Sequence, residues 1–139
     1  MTKEVLVTVT GVQSADGQGP IELVVPGRYY FRGGIHYLYY EECVDDSGEI
    51  TRNFIRFSRD RADVRKKGLV GVNLLFVPGK KTVAPYRTPF GELRTEVYAT
   101  EIILEESEEK IDYTIHYALS IAGETMEDCQ VRLQIVPRT

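Results

Sequence analysis

The sequence of 139 residues contains no tryptophan, two cysteines and two histidines, so it has few of the residues that build metal and disulfide sites. Cys43 and Cys129 lie far apart and neither belongs to a Cys-x-x-Cys pair, which argues against a disulfide framework and a zinc site of that spacing. His36 and His116 show no His-x-His spacing, and we expect both on strand surfaces. We therefore predict free thiols, no metal site and no cofactor.

Long apolar runs are also missing from the chain. No stretch is long enough to cross a bilayer, and the first residues lack the features of a secretory signal because Glu4, Thr8 and Thr10 interrupt the apolar run. These absences predict a cytoplasmic protein with no membrane partner. No Walker loop, dinucleotide fingerprint or nucleophile elbow occurs either, so the sequence offers no catalytic residue.

Apolar and polar residues instead alternate with period two over most of the chain, as in KIDYTIHYALSI at 110–121, and no segment carries a helical stripe. Turn signals separate these runs; Gly33-Gly34, for example, can take positive φ at both centres of a type I′ hairpin turn. We predict about 8–10 antiparallel strands in one all-β domain spanning residues 1–139. An up-and-down barrel is favoured because closure removes exposed strand edges, and a β-sandwich is the alternative.

The segment TPFGE at 88–92 resembles a site motif but is better explained as a turn. Pro89 suits the second position of a type I turn, and Gly91 can supply the left-handed residue of a bulge. The segment therefore predicts a three-residue hairpin loop that ends in a bulge at Gly91.

Four segments also carry a resemblance that covers essentially the whole chain: KEVLVTVTGVQ, IELVVPGRYYFRGGIHYLYYEE, YRTPFGEL and IDYTIHYALSIAGE, in that order. Together they resemble the YwiB-like family of small bacterial proteins, a domain of unknown function. The resemblance implies a calycin-type, lipocalin-like barrel and a bacterial source, and it implies no activity and no catalytic residues. The chain lacks the Gly-x-Trp signature of true lipocalins, which weakens an analogy with lipid transport.

The densest aromatic region is RYYFRGGIHYLYYEE at 28–42, a predicted hairpin. Alternation places Tyr37, Tyr39 and Glu41 on one face of its second strand. If that face looks into the barrel, these side chains could meet Arg52 and Arg56 of the next strand and line a cavity for a small ligand. The alternative is that the tyrosines simply fill the barrel.

Charge is distributed unevenly along the chain, although the net charge is only −4. Residues 52–94, the basic segment, contain eleven Lys and Arg against three Asp and Glu, whereas both flanks are acidic. Neighbouring strands would gather these cations into one wall. We favour internal pairing with the acidic flanks, then self-association, then contact with RNA or another polyanion. The candidates for the basic patch are Arg65, Lys66, Lys67, Lys80, Lys81 and Arg94.

These observations do not define an activity. The function that they favour is a non-catalytic barrel that binds a small ligand or a protein partner. The alternatives are a polyanion-binding or RNA-binding accessory protein that uses the basic segment, and an enzyme that uses the barrel mouth.

Overall fold

A computed structural model describes residues 3–13, 21–43, 48–68, 71–124 and 127–138. Ten β-strands make up the regular structure of these ranges. They are β1 (Glu4–Gln13), β2 (Ile21–Arg32), β3 (Ile35–Cys43), β4 (Ile50–Phe57), β5 (Ala62–Lys67), β6 (Val72–Phe76), β7 (Lys81–Thr88), β8 (Gly91–Glu106), β9 (Ile111–Ile121) and β10 (Glu127–Pro137). No helix within the described ranges is long and apolar enough to cross a membrane.

The ten strands form one antiparallel sheet in the order β6-β5-β4-β3-β2-β1-β10-β9-β8-β7. Strands that are neighbours in sequence are thus paired, except β6 and β7, and β1 pairs with β10 to join the two ends of the chain. At the remaining junction, between β6 and β7, Gly71 and Arg87 exchange two backbone hydrogen bonds of 2.9 and 2.8 Å. The prediction of an up-and-down barrel is confirmed, and we call the sparsely bonded β6–β7 junction the seam.

Alternating side chains explain why these segments form a barrel wall with two distinct faces. In β4, Thr51, Asn53, Ile55 and Phe57 are buried, and every residue between them is exposed. Successive side chains on a strand point to opposite faces, so the odd-numbered residues of β4 point inward and the even-numbered ones point outward. The antiparallel register carries this division across to β3 and β5.

The ends of β1 and β10 contribute Val5, Val7 and Ile135 to the interior, and all three are 0% exposed. Phe57 and Tyr113 pack there with ring centroids 4.5 Å apart. The Tyr113 hydroxyl donates hydrogen bonds to backbone oxygens of the β4–β5 turn, so the ring is buried without an unpaired polar group. Each such fully buried large apolar side chain stabilises the fold by about 1.5–3 kcal/mol.

Two turns test the backbone predictions. Gly33 and Gly34 have φ angles of 61° and 81°, as a type I′ turn requires. Gly91 has a φ of 129°, but Thr88 pairs with Gly91 and Arg87 with Glu92 without a register shift. The predicted bulge is therefore wrong, because continuous pairing leaves Pro89 and Phe90 as a two-residue loop.

Candidate functional site

A shallow groove of about 760 Å³ runs over the outer face of β2 to β5. We call it the aromatic groove; its lining residues are Arg28, Tyr30, Tyr37, Leu38, Tyr39, Glu41, Arg52, Phe54, Ile55, Arg56, Asp63 and Arg65. Tyr30 and Phe54 are 46% and 40% exposed. Because large apolar side chains are more often buried, a group of exposed rings on one face indicates a binding surface.

Strand register arranges the groove in rows that run across the sheet. In the first row Arg28 lies opposite Tyr39, Tyr39 opposite Phe54, Phe54 opposite Arg65, and Arg65 opposite Asn73. Directly opposed side chains have Cβ atoms about 4.5–5.5 Å apart, so they are lateral neighbours. The rings of Tyr39 and Phe54 accordingly lie 4.9 Å apart, between one arginine on either side.

A second row runs parallel to the first and also combines rings with charge. Tyr30 lies opposite Tyr37, Tyr37 opposite Arg56, and Arg56 opposite Asp63. The Arg56 guanidinium donates a 2.7 Å hydrogen bond to Asp63, and this bond raises the pKa of Arg56. Aspartate thus holds the guanidinium at one edge of the groove beside the Tyr37 ring.

Glu41 belongs to the end of the groove nearest the β3–β4 connection. Its carboxylate accepts a 2.7 Å hydrogen bond from the Tyr39 hydroxyl, which raises the pKa of that phenol. Arg52 lies opposite Glu41, with a nitrogen–oxygen distance of 3.9 Å. The Tyr39 hydroxyl is therefore oriented by Glu41, and Arg52 stays largely exposed to solvent.

The five residues selected from the sequence as ligand-binding candidates all line this groove: Tyr37, Tyr39, Glu41, Arg52 and Arg56. The condition under which they would line a cavity, that this face of β3 looks into the barrel, is however not met. His36, Leu38 and Tyr40 are the buried residues of β3, so the face with Tyr37 and Tyr39 points away from the interior. These side chains come together on the outside of the barrel and do not line an enclosed cavity.

The basic-patch candidates separate into two groups around the seam. Arg65, Lys66 and Lys67 lie on β5, whereas Lys81 and Arg94 lie on the far side, on β7 and β8. Lys81 and Arg94 both form ion pairs with Glu96, at 3.1 Å each, and these contacts lower the pKa of Glu96. Lys80 lies in the exposed β6–β7 turn. The expected single wall is therefore partly neutralised by Glu96, and its cations lie on both sides of the seam.

Lys66 has a structural role that the sequence did not indicate. Its ammonium donates to Glu42 Oε1 at 3.2 Å, and the Asn53 side-chain amide donates to the same oxygen at 3.1 Å. Asn53 is 0% exposed, so Glu42 accepts a hydrogen bond from an amide nitrogen that solvent does not reach, whereas the amide oxygen of Asn53 has no hydrogen-bond partner among the described residues. Lys66 is thus engaged with groups at the inner face of β3 and β4, unlike Arg65 and Lys67 next to it.

A buried histidine closes the opposite end of the barrel and corrects the expectation of a surface residue. His36 stacks on Phe57 with ring centroids 4.8 Å apart, and Phe31 covers it at 4.7 Å. Burial lowers the pKa of His36, and burial together with Glu106 raises the pKa of Tyr29 to about 12. The sequence signal was the spacing of two residues, which places His36 on the same face of β3 as Leu38 and Tyr40.

The ionisation states define the chemistry of this cluster. A neutral His36 accepts the 2.7 Å hydrogen bond of the Tyr29 hydroxyl at Nδ1 and turns Nε2–H toward Glu106 Oε2, 3.4 Å away. A protonated phenol and a neutral imidazole linked in this way connect β2, β3 and β8 without activating a nucleophile. The described ranges also contain no group of three or more metal-binding side chains.

Comparisons with known proteins agree with this architecture. Residues 7–133 match the family described as Domain of unknown function (DUF1934). The chain is 34% identical over 118 residues to the uncharacterized beta-barrel protein YwiB of Bacillus subtilis (strain 168), covering 84% of this chain and 81% of that protein. The crystal structure of the B. subtilis ywiB protein superposes with a TM-score of 0.85 at 28% identity, over 99% of this chain and 93% of the other. The chain therefore belongs to the DUF1934 family, as its resemblance to YwiB-like proteins implied.

Proposed function

We propose that the protein is a non-catalytic module that binds single-stranded nucleic acid in the aromatic groove. The observation that carries this proposal is the row in which Tyr39 and Phe54 lie side by side between Arg28 and Arg65. Proteins that bind single-stranded nucleic acid without sequence preference combine aromatic rings, on which bases stack, with cations that follow the phosphates. The groove offers both kinds of side chain at neighbouring positions of one exposed sheet.

Charge complementarity supports the same ligand. The lining contains four arginines against Glu41 and Asp63, so the groove is positive on a protein whose net charge is −4. Arg65 is exposed, and within the described ranges it forms no ion pair. Guanidinium groups suit phosphate recognition because their planar fork donates to two oxygens at once. A local positive field of this kind attracts a polyanion even when the net charge is negative.

A small anionic ligand with a planar ring, such as a free nucleotide, is the second candidate. The groove volume of about 760 Å³ lies within the range of about 300–1,000 Å³ that is usual for small-molecule sites. The shallow groove and its several rings in a row favour the longer ligand, because each ring can stack one base.

We also infer a cytoplasmic location for this module. Within the described ranges neither Cys43 nor Cys129 forms a disulfide, which suits a reducing compartment. RNA and single-stranded DNA intermediates are present in that compartment, so the inferred location and the proposed ligand are compatible.

Fluorescence anisotropy with a labelled oligouridylate of about 12 nucleotides tests the proposal, because single-strand sites usually cover about 4–16 nucleotides. We expect Tyr37→Ala and Phe54→Ala to raise the Kd by roughly 5- to 150-fold, since a stacked base is worth about 1–3 kcal/mol. Tyr98→Ala and Phe90→Ala are the matched controls, because these exposed rings lie on β8 and in the β7–β8 turn.

Three outcomes would contradict the proposal. One is an affinity that the groove variants and the control variants reduce equally. Another is equally tight binding of uridine monophosphate, which would favour the small-ligand candidate. The third is sedimentation as a dimer that dissociates in Phe54→Ala without any RNA binding, which would make the groove a contact between two copies.

A further inference from the structure

A second cleft opens beside the aromatic groove, at the seam between β6 and β7. This seam cleft has a volume of about 400 Å³ and is lined by Arg65, Lys66, Lys67, Gly68, Gly71, Val72, Asn73, Pro85 and Arg87. Four of these nine residues are cationic and none is acidic. A concave surface whose charged lining residues are all cations concentrates a positive potential, because the protein walls exclude the solvent that would screen it.

The cations of the seam cleft differ in whether they already form ion pairs with acidic residues of the protein. Lys66 is bound by Glu42, and Arg87 contacts the exposed Glu92 at 3.4 Å with its own side chain 74% exposed. No described residue forms an ion pair with Arg65 or Lys67, and both are exposed. An exposed pair such as Arg87–Glu92 is weak, so three of the four cations are available to an anion.

Arg65 joins the seam cleft to the aromatic groove, since its side chain lines both. The row that contains Tyr39 and Phe54 continues through Arg65 to Asn73, which is itself part of the cleft lining. With neighbouring strands about 4.8 Å apart, Asn73 on β6 lies roughly 10 Å from Phe54 on β4. The two concave surfaces therefore form one continuous track across the outer face of the barrel.

We propose that the seam cleft binds the phosphate groups of the same strand whose bases stack in the aromatic groove. This inference rests on the proposed function and specifies the path of the bound strand. The nucleic acid leaves the rings at Phe54, crosses β5 at Arg65 and places its backbone in the seam, where Lys67 and Arg87 contact phosphate oxygens. None of the nine described residues that line the seam cleft is aromatic, so it holds phosphates and reads no bases.

Labelled oligouridylates of about 4 and about 12 nucleotides distinguish the two parts of the track, because only the longer one can fill both. The test variant is Lys67→Gln/Arg87→Gln, which leaves the Lys66–Glu42 contact and all rings in place. We expect it to weaken binding of the longer oligonucleotide at least tenfold and to leave the shorter one within twofold of wild type. The slope of log K against log salt should become shallower by about 1.4, or about 0.7 for each lost phosphate contact.

Lys81→Gln/Arg94→Gln is the matched control, because it removes the same charge from the strands beyond the seam. The seam inference would be overturned if the two double variants had equal effects, or if the affinity fell equally for both oligonucleotide lengths. In either case, weaker binding by Phe54→Ala would still show that the groove binds. Binding that ignores Phe54→Ala would instead overturn the proposed function. Competition by poly-L-glutamate at the same charge concentration as RNA would also overturn the inference, since the cleft would then accept any polyanion.

Discussion

Phe54 and Arg65 occupy directly opposed positions on β4 and β5, with both side chains on the outer face of the barrel. The ring offers a stacking surface and the guanidinium offers donors to phosphate, at the lateral distance of one strand spacing. Because Arg65 also lines the seam cleft, this pair is the point at which stacking and charge recognition meet. The two contributions are physically different, so they respond differently to salt.

This difference can be measured with two single variants. Arg65→Gln should make the slope of log K against log salt shallower by about 0.7, because one phosphate contact with a single strand is lost. Phe54→Ala should weaken binding at every salt concentration and leave the slope unchanged, since stacking releases no counterions. Anisotropy titrations of the oligouridylate at several salt concentrations provide both quantities. A change of slope in Phe54→Ala would contradict the separate roles.

The fold could be predicted from the sequence because its signals are local. Alternation along KIDYTIHYALSI corresponds to β9, and the positive φ angles of Gly33 and Gly34 follow from the demands of a two-residue hairpin turn. Sequential pairing of neighbouring strands then leaves few topologies for a chain of short loops. The bulge at Gly91 failed because Gly at this position permits several turn geometries, and only the register distinguishes them.

The site could be predicted only in part, because β3 is ambiguous. One face of β3 carries Tyr37 and Tyr39 and the other carries Leu38 and Tyr40. Because both faces are partly apolar, apolar character does not reveal which one is buried. The decision comes from β4, where Arg52 and Arg56 mark the exposed face although Ile50 and Phe54 also lie on it. Period-two reasoning therefore grouped these residues on one face and left open which side of the sheet that face occupies.

Gly27 tests how closely β2 packs at the inner face of the barrel. A Cβ atom at this position would lie 2.8 Å from the backbone oxygen of Tyr39 and 2.9 Å from a methyl group of Val7. We expect Gly27→Ala to lower the free energy of unfolding by about 1–3 kcal/mol, the usual cost of overpacking a well-filled core. Urea denaturation measures it, with Gly11→Ala on β1 as the control, because nothing lies within 4 Å of a Cβ there. Equal stability of the two variants would contradict the close packing.

Gly91 isolates backbone strain from packing. Its φ is 129°, and a Cβ atom would meet nothing within 4 Å, so a substitution there is penalised by conformation alone. We expect Gly91→Val to destabilise the fold by about 1 kcal/mol or more, because a β-branched residue is poorly tolerated at positive φ. Thermal melts compared with Gly11→Ala measure the effect. An unchanged melting temperature would show that the Thr88–Gly91 turn can relax to a negative φ without cost.

His36 predicts a loss of stability on mild acidification. Burial lowers its folded-state pKa below the ordinary value of 6.5; the carboxylate of Glu106 opposes this shift and the guanidinium of Arg59 adds to it. Between about pH 6.5 and the lower folded-state pKa of His36, the unfolded chain therefore binds a proton that the folded protein does not. In this range the free energy of unfolding falls as the pH falls, by up to about 1.4 kcal/mol per pH unit. Above about pH 6.5 the group contributes no dependence.

The His36→Phe/Tyr29→Phe variant separates this titration from the packing of the cluster. The second substitution removes the hydroxyl that would otherwise be left without its acceptor at Nδ1, and the rings of Phe31 and Phe57 keep an aromatic neighbour. Urea denaturation between about pH 5.5 and 7.5 should show a shallower pH dependence for this variant than for wild type, because the difference between the two curves isolates the imidazole. Parallel curves would mean that His36 becomes protonated within the folded protein, and that Glu106 rather than burial controls its charge.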